Sequence, residues 1–244
     1  FGWIYRIRAY INGNWRLWSQ DREFVVEPMD SDCDPTISDI DGNVYNTVII
    51  GTQTWMKENL KTTKFNDGSD IPLVIDNTNW TNLSTPAYCW YNNNEAYKTT
   101  FGALYNAYAV NSGKVCPTGW HVPTDEEWHQ LALFLDPNAV YNEGDNYWES
   151  TIAGGKLKED GLTHWQSPNT DATNEVGFMA LPSGGRSYDG TFNMLYLRTQ
   201  FWSSTLYNDV SNRGVRSLSN DHANLHRYNA NHKFGFSIRC IKDN

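Results

Sequence analysis

The chain has 244 residues, a formal net charge of −9 and 19% charged residues, which is enough for one large domain or two small ones. Its 18 glycines, 11 tryptophans and 14 tyrosines describe a loop-rich globular protein and exclude a disordered one. The acidic balance argues against nucleic acid or an anionic membrane surface as main partner, because phosphate recognition needs a basic footprint. No apolar run approaches the ~20 residues of a membrane span. No signal peptide is read at the start, where a strand pattern is already under way at Phe1, as expected of a processed or truncated chain.

Residues 1–27 alternate as strands do. In WIYRIRAYI, Ile4, Arg6, Arg8 and Tyr10 share one face and Tyr5, Ile7, Ala9 and Ile11 the other. Asn12-Gly13-Asn14 is a turn signal and REFVVEP a returning strand, so Trp3–Ile11 is expected to pair antiparallel with Glu23–Glu27. This reads as a β-hairpin, the remnant or end of an immunoglobulin- or fibronectin-like sandwich, since a hairpin alone is marginal. Residues 28–35, PMDSDCDP, form a polar linker bounded by prolines, and residues 36–244 form the main domain. There an Asp41-Gly42 turn separates short strands, VIIGTQTWM enters the core, and Met56–Leu60 forms a helical turn. Stretch 65–100, rich in Asn, Asp and Thr, makes a long ordered loop. Leu104, Tyr105, Tyr108 and Ala109 stand at helical spacing and predict a first main helix over Gly102–Val110.

The stretch Val115–Leu135, VCPTGWHVPTDEEWHQLALFL, holds the strongest local signals. Thr124 caps a helix through its side-chain oxygen, and Glu127 reaches back to close a capping box. Asp125, Glu126 and Glu127 place negative charge on the first turn, where the helix dipole favours it. Trp128, Leu131, Leu133, Phe134 and Leu135 give the second main helix an apolar side. Before it, Pro117, Gly119 and Pro123 force an ordered approach that Trp120 and Val122 staple to the core. Glu149–Lys158 adds a short third helix, and after Phe178 the chain reads as strands and turns. The class is α+β.

No GxSxG, GxxxxGK[ST], GxGxxG or HExxH occurs. His121 and His129 flank the helix start but share no helical metal face, and helix-cap chemistry accounts for the acids beside them. The four cysteines, Cys33, Cys89, Cys116 and Cys240, allow two bridges in three pairings, or four free buried thiols.

CPTGWHVPTDEEW is followed and preceded by further long motifs: DIDGNVYNTVIIGTQTWMKENLKTTKFNDG, YCWYNN, GALYNAYAV, ALPSGGRSYDGTF, FWSST and GFSIRCIKD. Together they resemble the Fibrobacter succinogenes major paralogous domain, a family of secreted bacterial modules, over roughly residues 36–243. The resemblance implies a C-type-lectin-like fold and an extracellular or cell-surface location. Because the last strand of such folds returns to the middle of the domain, it also implies a Cys116–Cys240 bridge, leaving Cys33–Cys89 by exclusion. A distant similarity to formylglycine-generating enzymes raises an oxidase reading. Those enzymes use two reactive cysteines near the C-terminal end, and this chain has only Cys240 there. The EPN, QPD and WND motifs of calcium-dependent sugar binding are absent. A structural calcium held by Asp and Asn of the 65–100 loop stays open, and no other cofactor is expected.

Residues 205–232, TLYNDVSNRGVRSLSNDHANLHRYNANH, contain no Lys, Glu, Gln, Met or Trp, although Trp alone counts 11 in the chain. The types present are those that pyrimidine-ending codons encode, the footprint of adenine mutagenesis in AAC and AAT codons. The stretch resembles the variable region of proteins diversified by retroelements, in which Arg216, Leu218, Arg227 and Lys233 match fixed positions of the family pattern. Tyr, Ser, Asn and Asp make an adaptable recognition surface. Alternation in VRSLSND and NLHRYN sends variable and fixed residues to opposite strand faces. The expected ligand face is therefore Tyr207, Asn208, Asn212, Ser217, Ser219, Asn220, His222, Asn224, His226, Tyr228, Asn229 and His232, largely exposed and on one side. The function expected is a non-enzymatic secreted or cell-surface recognition module for a protein or glycan ligand on another cell or surface. The alternatives are an enzyme of the formylglycine-generating type and a structural adhesin or stalk.

Overall fold

The computed structural model describes residues 9–11, 14–16, 36–141, 146–207 and 212–243. The chain divides into two compact units, Phe1–Asp34 and Pro35–Asn244. In the first, β1 (Ala9–Ile11) pairs antiparallel with β2 (Asn14–Arg16), Tyr10 opposite Trp15. The partner of Ile11 among the described residues is Asn14. Only Asn12 and Gly13 separate the two strands, the spacing that an Asn-Gly pair favours for a two-residue hairpin. Trp3–Arg8, Glu23–Glu27 and residues 28–35 lie outside the described residues.

The second unit runs, in chain order, β3 (Thr36–Ser38), β4 (Val44–Ile50), β5 (Gln53–Met56), α1 (Asn77–Thr81), β6 (Tyr88–Cys89), α2 (Lys98–Phe101), β7 (Leu104–Asn106), α3 (Ala107–Asn111), β8 (Trp120–His121) and α4 (Asp125–Leu135). It continues with β9 (Asn146–Ser150), α5 (Ala153–Leu157), β10 (Ser183–Arg186), β11 (Phe192–Leu195), β12 (Arg198–Leu206), β13 (Asn212–Ser219), β14 (Leu225–Asn231), β15 (Gly235–Phe236) and β16 (Ile241–Lys242). Among the described residues these strands form a sheet in the order β6-β7-β15-β10-β12-β13-β14-β9, with β11 on β10, and a second sheet in the order β3-β4-β5-β16-β8. The fold is α+β.

Helices other than α4 are short: α4 has 11 residues and the others four or five. The helix expected over Gly102–Val110 begins only at Ala107, because Leu104–Asn106 is a strand between β6 and β15. Asn106 ends that strand and caps α3, its Oδ1 accepting from Ala109 N at 3.1 Å. Met56–Leu60 is not helical, and the segment from Glu149 is strand before it turns into α5. In α4 the expected capping box between Thr124 and Glu127 is present. Trp128, Leu131 and Leu135 are buried, whereas Leu133 and Phe134 face outward. Phe134 lies over Gly51, where an added Cβ would meet its ring at 3.0 Å.

Cys116 and Cys240 are joined, tying the approach to β8 to the residue that enters β16, itself between β5 and β8. Trp120 and Val122 are buried beside the bridge, as expected. Cys89 is a free thiol, fully buried with Trp80, Ala87 and Leu104. The Cys33–Cys89 pairing is therefore not made, and Cys33 lies outside the described residues. Burial pushes the Cys89 thiol up to about 12.

Candidate functional site

Strands β12, β13, β14 and β9 carry the tail. Register fixes two rows on one face: Gln200, Ser217, His226 and Trp148 run straight across, with Trp202, Val215, Tyr228 and Asn146 in the next row. Phe201, Arg216 and Arg227 lie on the opposite face. The expected alternation of the two sets is therefore present. The expected exposure is not. Trp202 and Val215 belong to the largest core cluster, which covers one face of β13, while Leu218 in the second cluster and Arg216 on Asp125 cover the other.

The twelve expected face residues accordingly separate. Ser217, Ser219, Asn220 and His232 are buried. Tyr207, Asn212, His222, Asn224, His226, Tyr228 and Asn229 are half-buried, and Asn208 lies outside the described residues. Several are structural. Asn220 Nδ2 donates to the carbonyls of Gln166 (3.2 Å) and Ser167 (3.1 Å), and His232 packs edge-on against Tyr108. Asn229 sits opposite Gly214 on the far face. Tyr207 belongs to that far side as well, its ring 5.1 Å from the Arg227 guanidinium and its hydroxyl 3.4 Å from Arg227 Nη1.

The structure brings four of the twelve together, Ser217, His222, His226 and Tyr228, around a residue the sequence reading passed over. Trp148 is 50% exposed, with the rings of His226 and His222 at 4.5 and 4.9 Å and Tyr228 a further 5.4 Å from His226. Asn146 Oδ1 meets His226 Nε2 at the rim. The signal in the sequence is NYWES, whose alternation puts Tyr147 and Glu149 on one face and Trp148 on the other. Burial, reinforced by the charge of Arg198, holds the His226 imidazole below its ordinary range. Burial acts on His222 in the same direction, Arg198 and Lys158 again adding to it. Burial pushes the Tyr228 phenol up. Near neutral pH the patch thus presents neutral imidazoles, a phenol and an indole.

The opposite face carries a buried charge network. Asp125 is 1% exposed. Its carboxylate accepts from Arg216 Nη1 at 2.8 Å and from Arg227 Nη2 at 2.6 Å. Arg216 Nε also reaches Glu149 at 2.6 Å, and Glu149 meets His129 Nδ1 at 2.8 Å. Burial pushes the Asp125 carboxyl up, but the two guanidiniums outweigh it and hold it below the usual carboxylate range. The sequence reading of Asp125 as a helix-dipole acid is therefore incomplete. Three of the fixed-type positions also find their reason: Arg216 and Arg227 bind Asp125, and Leu218 is in the second core cluster. The fourth, Lys233, donates to Thr81 O at 2.6 Å. The turn between β13 and β14 is anchored by Lys158, whose buried ammonium donates to the carbonyls of Thr170 (2.9 Å), Ser219 (2.9 Å) and His222 (3.0 Å).

Asp67, Asp70 and Asp76 of the 65–100 stretch are engaged separately, with Lys114, Lys64 and the N-terminus of α1. Among the described residues no group of three or more His, Cys, Asp or Glu could hold a metal ion. No helix among them is long and apolar enough to cross a membrane. Two small concavities, about 100 Å³ beside Cys116 and His121 and about 210 Å³ beside Asp39 and Pro117, lie away from the Trp148 patch.

An α+β domain with a single disulfide among its described residues, a capped central helix and an aromatic patch on its tail sheet is thus defined. Its residues 48–242 match the Fibrobacter succinogenes major domain, and the chain belongs to that bacterial family. Neither the curated proteins nor the solved structures give a match.

Proposed function

We propose that this chain is a non-enzymatic recognition module with a C-type-lectin-like fold, working outside the cell, whose ligand surface is the patch of Trp148, His222, His226 and Tyr228. The observation that carries the reading is Trp148: a half-exposed indole framed by three aromatic side chains, all from the stretch whose composition resembles a variable region. Large aromatic side chains at such sites supply contact area at low entropic cost and dominate binding energy. Diversification of residues 205–232 by a retroelement belongs to the same proposal. The buried Ser217, Ser219, Asn220 and His232 would be constrained, leaving His222, Asn224, His226 and Tyr228 as the positions where change alters the surface.

Two features support the extracellular, lectin-like part. The Cys116–Cys240 bridge suits an oxidising compartment, and the last strand returns to pair between β5 and β8, in keeping with the returning last strand that the resemblance implies. The bridge also occupies the one cysteine near the C-terminal end, which favours recognition over chemistry of the formylglycine-generating type.

The test is an array of glycans and cell-surface proteins probed with the intact chain and with Trp148→Ala. Binding by the parent that the variant loses, at unchanged melting temperature, supports the reading. A parent that binds nothing, or a variant with the same binding pattern, sinks it.

A further inference from the structure

Arg198 opens β12 opposite Ser219, on the face that carries Gln200, Ser217, His226 and Trp148. It is half-buried, and its guanidinium makes no hydrogen bond or ion pair with the described residues; Asp221 is the acid whose charge it feels. A guanidinium without a carboxylate partner is costly to bury, and its planar fork matches a carboxylate bidentately. On the same face, toward β14 and β9, stand the half-exposed Trp148 ring and groups that both donate and accept: the neutral imidazoles of His222 and His226 and the hydroxyl of Tyr228. An indole face suits the C–H face of a sugar ring, and mixed donors and acceptors suit its hydroxyls. We propose that the ligand of this patch is a glycan carrying a carboxylate-bearing sugar, a uronic or nonulosonic acid unit, with Arg198 engaging the carboxylate and Trp148 stacking on a ring of the same oligosaccharide.

Asp221 stands at the rim with its side chain 66% exposed and accepts from Ser219 Oγ at 2.6 Å. It balances Arg198 near neutral pH, so the patch selects one well-placed carboxylate and not a dense polyanion. The groups whose charges act on His222 and His226 are Asp221, Lys158 and Arg198, besides the two imidazoles themselves. Acidification that protonates the imidazoles adds positive charge to the patch and tightens its hold on an anionic sugar.

The inference rests on the Trp148 patch being the ligand surface, and the experiment separates the two claims. Carboxylated oligosaccharides, their carboxyl-reduced counterparts and poly-Glu are titrated by calorimetry into the parent chain, Arg198→Gln, Arg198→Lys and Trp148→Ala, with thermal melts to verify folding. At least one carboxylated oligosaccharide is expected to bind about tenfold or more tightly than its reduced counterpart, a difference that Arg198→Gln erases and Arg198→Lys keeps in part. Affinity for it rises between pH 7.5 and 5.5, while that for the reduced form does not. Equal binding of both forms, a preference that survives Arg198→Gln, or binding of poly-Glu alone overturns the acidic-sugar inference. Trp148→Ala reports on the patch itself: if it binds as the parent does, the ligand surface is elsewhere and both claims fall.

Discussion

A Cβ placed on Gly214 would lie 2.4 Å from Asp125 Oδ1. The glycine is there because the carboxylate needs the space: Asp125 lies over β13 at this point to meet Arg216 of β13 and Arg227 of β14. Gly214→Ala is expected to push the carboxylate out of register and to cost about 1–3 kcal/mol or more, the range of overpacked cores. Urea denaturation checks it; a variant as stable as the parent would show that the carboxylate has slack.

Removing the acid itself costs more. Asp125→Asn leaves two guanidiniums buried against a neutral amide and is expected to destabilise by roughly 3–5 kcal/mol. Because the folded-state pKa of Asp125 is depressed, its contribution is present above the ordinary carboxylate range and lost as pH falls through the folded value. The variant's stability curve should therefore flatten at acid pH relative to the parent. Parallel curves would contradict the ion-pair assignment.

His121 lies between two acids, Nδ1 at 2.6 Å from Asp243 and Nε2 at 2.9 Å from Glu127. The hydrogen bond to Glu127 foremost, then that to Asp243, raises its pKa to about 9. A raised histidine gives stability that is full below its unfolded value near 6.5 and is lost as pH rises through the folded value. Melting temperature is expected to fall between about pH 7 and 9.5 in the parent, and to fall less in His121→Gln. NMR titration of the imidazole with a midpoint near 6.5 would remove the basis for this.

Among the described residues Lys158 has no acid within ion-pair distance. Its three carbonyl acceptors fix the turn from Ser219 to His222. Lys158→Met would strand those acceptors in the interior, at about 1–3 kcal/mol for each left unmade, and would free His222 from Trp148. Crystallography or exchange protection at residues 219–223 reads the outcome; an unchanged turn would mean that the backbone alone holds it.

Breaking the Cys116–Cys240 bridge, whose ends are 124 residues apart, should cost roughly 2–5 kcal/mol. A double serine variant measures it, and mass spectrometry of the unreduced digest must find the two cysteines in one linked peptide pair.

What was legible in the sequence was what depends on near neighbours. The capping box of α4 is written in four residues, Thr124 to Glu127. The resemblance gave the family and the bridge. Faces of β13 and β14 followed from period two. Exposure did not, because it depends on what lies over a strand: Val215 and Ser217 alternate with Arg216 as a surface strand would, yet Trp202 and its cluster cover them. Asp125 looked like a cap acid because its partners are 91 and 102 residues away. Trp148 was missed for the same reason: its companions His222 and His226 join it only through the pairing of β9 with β14.

The central claim, that ligand is held at the Trp148 patch, is tested most directly by the Trp148 indole N–H resonance in a nitrogen-15 spectrum of the intact chain, titrated with the tightest binder from the glycan and protein array. The expected result is a saturable shift of that resonance together with the amides of Ser217, His222, His226 and Tyr228. A saturable shift confined to other surfaces, with the Trp148 resonance unmoved, would contradict it.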